Sequence, residues 1–239
     1  METRVHEYQS GDKTSIGYLA LPDGSGARPG ILVVHEAPGR DDHVKRRAEM
    51  LAGLGYVALA ADLYGGGVVG GSPQESFALM GPLRENPDLL RQRVRAGLDA
   101  LTAVPGVDRG RLGAIGYCFG GYSVLELART GAPVACVVSF HGLLETKRPA
   151  AAGTIKGKIL ACTGSADPIV PRDQVTAFEK EMVEAGTDWQ VITYGGAKHA
   201  FTNTAADSIP MPGFGYSPSA DARSWTAMRN LFDEVFGAP

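Results

Sequence analysis

Cys118 sits in Gly116-Tyr117-Cys118-Phe119-Gly120-Gly121, directly after the apolar run at residues 112–115. Glycines flanking one potentially nucleophilic side chain let a strand and a helix approach closely while the central residue adopts a strained backbone. Such a turn exposes its side chain at the top of a sheet, with the positive end of the following helix behind it. The inert alternative is a buried cysteine that behaves as a small apolar residue. A thiol nucleophile needs a base, and the base needs a group that orients it. Among the five histidines, His6 falls in a peripheral hairpin, His43 in a solvated helix, and His35 and His141 close behind residues that must pack. His199 lies in the glycine-rich stretch Gly195-Gly196-Ala197-Lys198-His199-Ala200-Phe201, and Asp167 in Gly164-Ser165-Ala166-Asp167-Pro168. The chemistry these three types support is acyl transfer, with a rate that rises through the His199 ionisation.

The elements that position them alternate between strands and helices. Strands are predicted at residues 4–8, 15–21, 31–34, 56–61, 112–115, 134–140, 158–163 and 189–194. Helices are predicted at 41–54, 73–83, 88–104, in the segment after Cys118, at 171–185 and from 217 to about 236. The run Ile31-Leu32-Val33-Val34 is continuous rather than alternating, the mark of a parallel strand covered on both faces. Strand–helix alternation of this kind implies an α/β fold, a single domain over residues 1–239 with a mostly parallel, doubly wound sheet flanked by helices. In such a sheet working residues lie beyond the C-terminal ends of strands. Cys118, Asp167 and His199 each follow a strand, and Asp167 precedes His199 by one helix and one strand, so both emerge on one edge. Phe119 by its position and Ala37, after the strand at residues 31–34, are the expected backbone donors of an oxyanion hole. Glu36 is the unusual neighbour: a carboxylate there repels an oxyanion unless it has a local task. Facing Cys118, it would accept the S–H proton and guard the thiol. The glycine-rich loop at residues 65–72 reads as mobile.

Composition narrows the function classes. The 32 glycines are nearly twice the usual share of about 7%, and they cluster at junctions, which points to tight turns. A net charge of -3 offers no basic footprint for nucleic acid or an anionic membrane. The polar N-terminal stretch lacks a signal-peptide core, and no apolar run approaches the length of a membrane span. Three cysteines without C-x-x-C spacing suit a reducing cytoplasm. A dinucleotide fold is disfavoured because residues 36–40 hold only one glycine where G-x-G-x-x-G is required.

The order Cys118, Asp167, His199 is that of α/β-hydrolases. Together with His35-Glu36, Asp62-Leu63-Tyr64 and His199-Ala200-Phe201, the sequence resembles the dienelactone hydrolase family across nearly its whole length. The resemblance implies a Cys118-His199-Asp167 triad, Glu36 holding the thiol until substrate displaces it, and hydrolysis of a lactone or ester through a thioester. It implies neither metal nor organic cofactor. The family's best-known members grip a substrate carboxylate with two arginines, and the corresponding positions here are Gly66 and Asn203. A neutral substrate is therefore expected, in a pocket drawn from Tyr64, Gly66, Asn203, Phe77, Met80, Phe201, Met211 and Phe214. The expected partners are a small ester or lactone, with no nucleic acid or membrane, for a monomer or homodimer. A non-catalytic relative with an oxidisable Cys118 is the competing expectation.

Overall fold

The computed structural model describes residues 1–237. An eight-stranded sheet runs in the order β1-β2-β4-β3-β5-β6-β7-β8. β1 (Glu2–Ser10) and β2 (Lys13–Leu21) form an antiparallel hairpin, and β2 pairs antiparallel with β4 (Val57–Ala60). From β4 onward every pairing is parallel, through β3 (Arg28–Val34), β5 (Val107–Tyr117), β6 (Cys136–Phe140), β7 (Lys158–Gly164) and β8 (Trp189–Tyr194).

Successive side chains on a strand face opposite ways, so each central strand must feed two cores. Leu32 and Val34 pack on one side with Leu90, Val94 and Leu98 of α3 (Pro87–Thr102) and Val124 of α4 (Phe119–Arg129). Ile31 and Val33 pack on the other with Val44 and Leu51 of α1 (Asp42–Gly53) and Met228 and Phe232 of α6 (Pro218–Phe236). That two-sided burial explains the uninterrupted apolar run at residues 31–34.

The helices start where short polar side chains can cap free amides. Asp41 accepts from the His43 and Val44 N–H groups ahead of α1, so the helix expected from residue 41 has that residue as its cap. Asn86 ends α2 (Pro73–Glu85) and caps α3, which joins the two without a connecting loop. β5 reaches back to Val107 because Arg28 and Pro29 pair with Val107 and Asp108, a register that breaks at Pro29/Gly30 and extends the apolar run read from sequence. His43, expected in solvent, is buried edge-on against Tyr117, with ring centroids 4.9 Å apart. Burial, followed by the charges of Arg47 and Arg46, pushes its pKa down to about 3.

The glycine-rich loop after β4 is tied to the fold. One oxygen of Asp62 accepts from the Tyr64 and Gly65 amides and the other from Ile16 and Gly67, while the Gly70 N–H donates to the Pro38 carbonyl. Gly65, Gly66 and Gly67 all have positive φ, which is what allows the chain to wrap one carboxylate this tightly.

α4 itself is held by a buried ionic cluster. Glu126 receives Arg129 and Thr146 on one oxygen and Arg91 on the other, and Arg129 reaches on to Glu181 of α5 (Arg172–Ala185). The helix that presents its N-terminus to Cys118 is thereby locked to its neighbours on both sides.

Candidate active site

The turn between β5 and α4 forces Cys118 to φ 50° and ψ -113°. This left-handed φ costs on the order of 1–3 kcal/mol for a non-glycine residue and survives only where the surroundings over-determine it. They do so here: a Cβ on Gly116 would strike the Gly120 carbonyl, and one on Gly120 would strike that of Val34. β3, β5 and α4 therefore meet backbone to backbone, and the thiol is pushed out at the strand end. Phe119 is the first residue of α4, so its amide belongs to the unpaired N-terminal turn of the helix.

The other two loops converge on that thiol. Cys118 Sγ lies 3.0 Å from His199 Nε2, and His199 Nδ1 lies 2.8 Å from Asp167 Oδ2. Asp167 is fixed in turn by its other oxygen, which accepts from the Ile169 N–H at 2.8 Å and the Val170 N–H at 3.3 Å. The His199 backbone is pinned to the loop before α6, donating to the Gly213 carbonyl and accepting from the Gly215 N–H. Phe214 packs edge-on against the imidazole, centroids 4.8 Å apart. Both His199 and Asp167 are buried.

Burial works against a charge on His199, but Cys118 and Asp167 together outweigh it and raise its pKa to about 10. The arrangement thus favours an imidazolium beside the sulfur. Sequence reasoning took the rate to rise through the His199 ionisation; the contacts move that ionisation to the alkaline side. The protonated ring, the form able to donate a proton, persists below about pH 10 and is lost above it. kcat/KM for an ester should accordingly fall with a midpoint near 10, measured over pH 6–11 in a constant-ionic-strength buffer. A rise in rate through that range would contradict the assignment.

Ala37 occupies the turn after β3, and that turn is braced from below. Tyr64 Oη donates to the Ala37 carbonyl at 2.7 Å, and the Gly39 N–H donates to the Glu36 carbonyl at 3.2 Å. His35 accepts the Leu63 N–H at Nε2, which leaves its Nδ1 proton for the Glu36 carbonyl at 2.7 Å. Tyr64 is therefore a strut beneath the turn rather than a pocket wall as expected, its ring buried against His35 and Phe119.

Glu36 is buried at the same place, and here the structure corrects the sequence reading. Its Oε2 accepts from Asn203 Nδ2 at 2.5 Å, its Oε1 has no hydrogen-bond partner among the described residues, and the thiol is engaged by His199 instead. Burial, then the charge of Asp41, raises the Glu36 pKa to about 7 against the opposing pull of Asn203, His199 and Arg47. With its pKa near 7 the carboxyl is only partly ionised at neutral pH, which lessens the repulsion of an oxyanion there and restores it as pH rises.

These residues open onto a cavity of about 450 Å³. Phe77, Met80, Met211, Phe214 and Asn203 line it, as expected. Gly66 does not, because its amide turns back to pair with the Thr14 carbonyl. Phe201 is likewise absent from the wall: it is fully buried against His141 and Tyr194 in the core beneath. Leu143, Ile169, Ile209 and Arg84 were missed by the sequence reading and do line the cavity. Arg84 is engaged there, donating to Glu145 at 2.7 Å with its guanidinium 4.8 Å from the Tyr122 ring centroid.

The chain matches the dienelactone hydrolase family over residues 16–236. It belongs to that family. Relatives bearing the name carboxymethylenebutenolidase include one from Synechocystis sp., 27% identical over 231 residues and spanning 90% of each chain. Among solved structures it is similar to P91, a dienelactone hydrolase-like promiscuous phosphotriesterase from metagenomic libraries. That likeness has a TM-score of 0.94 and 43% identity over 99% of each chain. A second structure, m3DLH, is 45% identical with a TM-score of 0.94 over 98% of each. The chain is thus a dienelactone hydrolase-like enzyme with an α/β-hydrolase fold, and none of its described helices is long and apolar enough to cross a membrane.

Proposed function

We propose that this enzyme cleaves neutral carboxylic esters or lactones by covalent thiol catalysis at Cys118. The observation that carries the reading is the continuous line from Cys118 Sγ through His199 to Asp167 at the wall of an apolar cavity. The sulfur adds to the carbonyl carbon, and the electron pair moved onto oxygen is met by the amides of Ala37 and Phe119. As the oxyanion collapses the C–O bond breaks, and His199 Nε2 gives its proton to the departing alkoxide. The neutral imidazole then takes a proton from water, whose oxygen attacks the thioester. The sulfur leaves with the bonding pair, and the acid product and the starting pair are restored. Asp167 keeps the ring in the orientation and tautomer that present Nε2 to sulfur. Glu36, held by Asn203 and partly protonated near pH 7, opposes the oxyanion less than a full carboxylate would.

The way the cavity's polar groups are used supports a neutral substrate. Asn203 is engaged with Glu36 and Arg84 with Glu145, so a substrate carboxylate would find no free cation among the described lining residues. In a panel of aryl esters of increasing chain length beside charged and uncharged lactones, kcat/KM is expected to favour neutral members by about tenfold or more. A preference for anionic lactones would overturn this. The likeness to P91 brings a second class into the same panel, neutral aryl phosphotriesters, whose slow turnover is expected to depend on Cys118. Absence of that turnover removes the second class alone. The three unpaired cysteines, two of them buried in strands, fit a reducing cytoplasm as the place of action.

A further inference from the structure

Three non-glycine residues have positive φ among those described: Cys118, His141 and Ala200. All three converge on the reacting sulfur, since Ala200 follows His199 and His141 is the first residue beyond β6, next to the elbow. His141 is fully buried and makes a specific set of contacts. Its Nδ1 accepts the Cys118 N–H at 3.1 Å, beside the Phe140 carbonyl that accepts the same N–H at 3.0 Å. With Nδ1 accepting from a backbone amide, the ring proton must be on Nε2, which lies 2.7 Å from Thr202 Oγ1. The Thr202 carbonyl is held by Arg47 at 2.7 Å, and Arg47 also grips Asp221 of α6. The ring stands edge-on to His199, centroids 5.4 Å apart. Nothing in the acyl-transfer steps uses His141, yet it touches the elbow, the imidazole and the segment after His199 at once.

We propose that His141 is a positioning residue: its neutral ring fixes the strained Cys118 turn through the Cys118 amide and so sets the thiol against His199. Burial, followed by the nearby charges of His199 and Arg47, keeps its pKa well below the ordinary histidine value, so the acceptor nitrogen stays bare. The inference rests on Cys118 being the nucleophile, but its test does not require a substrate.

Two substitutions separate the ring's two contacts. In His141→Asn the amide oxygen takes the place of Nδ1 and can still accept the Cys118 N–H. In His141→Gln the amide nitrogen takes the place of Nε2, which keeps the Thr202 contact and abandons Cys118. His141→Phe loses both. The readouts are kcat and KM on an aryl ester, the rate of Cys118 alkylation by iodoacetamide, and the melting temperature. His141→Gln is expected to lower kcat and the alkylation rate by about tenfold with KM nearly unchanged, whereas His141→Asn recovers most of that loss. Unaltered alkylation and kcat in His141→Gln, or an equal loss in His141→Asn, would overturn the proposal. The Asn and Gln pair decides the matter even if the Phe variant does not fold. Slowed alkylation in His141→Gln together with full esterase activity in Cys118→Ala would support the positioning role and sink the nucleophile assignment instead.

Discussion

Cys118→Ala is expected to lower kcat/KM for aryl esters by about 10⁴-fold or more while leaving the melting temperature close to that of the parent. The size follows from the absence of a substitute. Ser72, Ser76 and Ser208 also line the cavity, but among the described residues none is hydrogen-bonded to a histidine, and His199 Nε2 faces the vacated sulfur position. Binding in the cavity and the amides of Ala37 and Phe119 survive the substitution, which is why some residual activity over the uncatalysed reaction is expected. The fold survives because backbone contacts hold the turn, the close approaches at Gly116 and Gly120 and the bonds made by the Cys118 amide, not the thiol. Steady-state kinetics beside thermal denaturation check both halves. A loss below tenfold would remove Cys118 from the chemistry.

Glu126→Ala should produce the largest loss of stability, about 3–5 kcal/mol, seen as a fall of roughly 10 °C in melting temperature. Glu126 and Arg129 are both buried, and Glu126 also satisfies Arg91 at 2.8 Å. Removing the carboxylate leaves Arg129 with Glu181 as its one acidic partner, beside the Leu144 carbonyl, and strips Arg91 of its own. The desolvation of these cations was compensated by several charge-assisted bonds, so losing one hub uncovers more than a single pair is worth. Since α4 supplies the N-terminus behind Cys118, kcat should decline too, though far less than in Cys118→Ala. A melting temperature within about 2 °C of the parent would show that the cluster is energetically idle.

Much of the site was legible in the sequence because strand ends are. A largely apolar strand run followed by a glycine-containing turn gives the place where a side chain emerges, and Cys118, Asp167 and His199 each had that context. What sequence could not show is which way a residue beyond a strand points. Tyr64, Phe201 and Gly66 follow strands or site residues just as closely, yet they face a brace, the core and the hairpin. His141 was set aside as a packing residue. Its usable signal was its place one residue past the strand adjacent to the elbow. His43 was assigned to a solvated helix, but it lies on the buried face of α1, where even Arg47 is folded under between Tyr117 and Trp225. Glu36 was recognised as odd and given the wrong partner: Asn203, placed among its relatives' arginine positions, turned out to occupy it. Arg84 escaped notice because it arrives from α2, a helix with no motif to mark it.

The central claim, that acyl transfer passes through the Cys118 sulfur, is tested most directly by trapping the intermediate. The enzyme is mixed with a slowly deacylating aryl ester, quenched in acid during the first turnovers and digested, and the peptides are weighed by mass spectrometry. The account predicts one added acyl group per chain, carried by the peptide containing Cys118, released by neutral hydroxylamine and missing from Cys118→Ala. An acyl group on a serine-containing peptide that lacks Cys118, or full turnover with no acylated peptide, would contradict it.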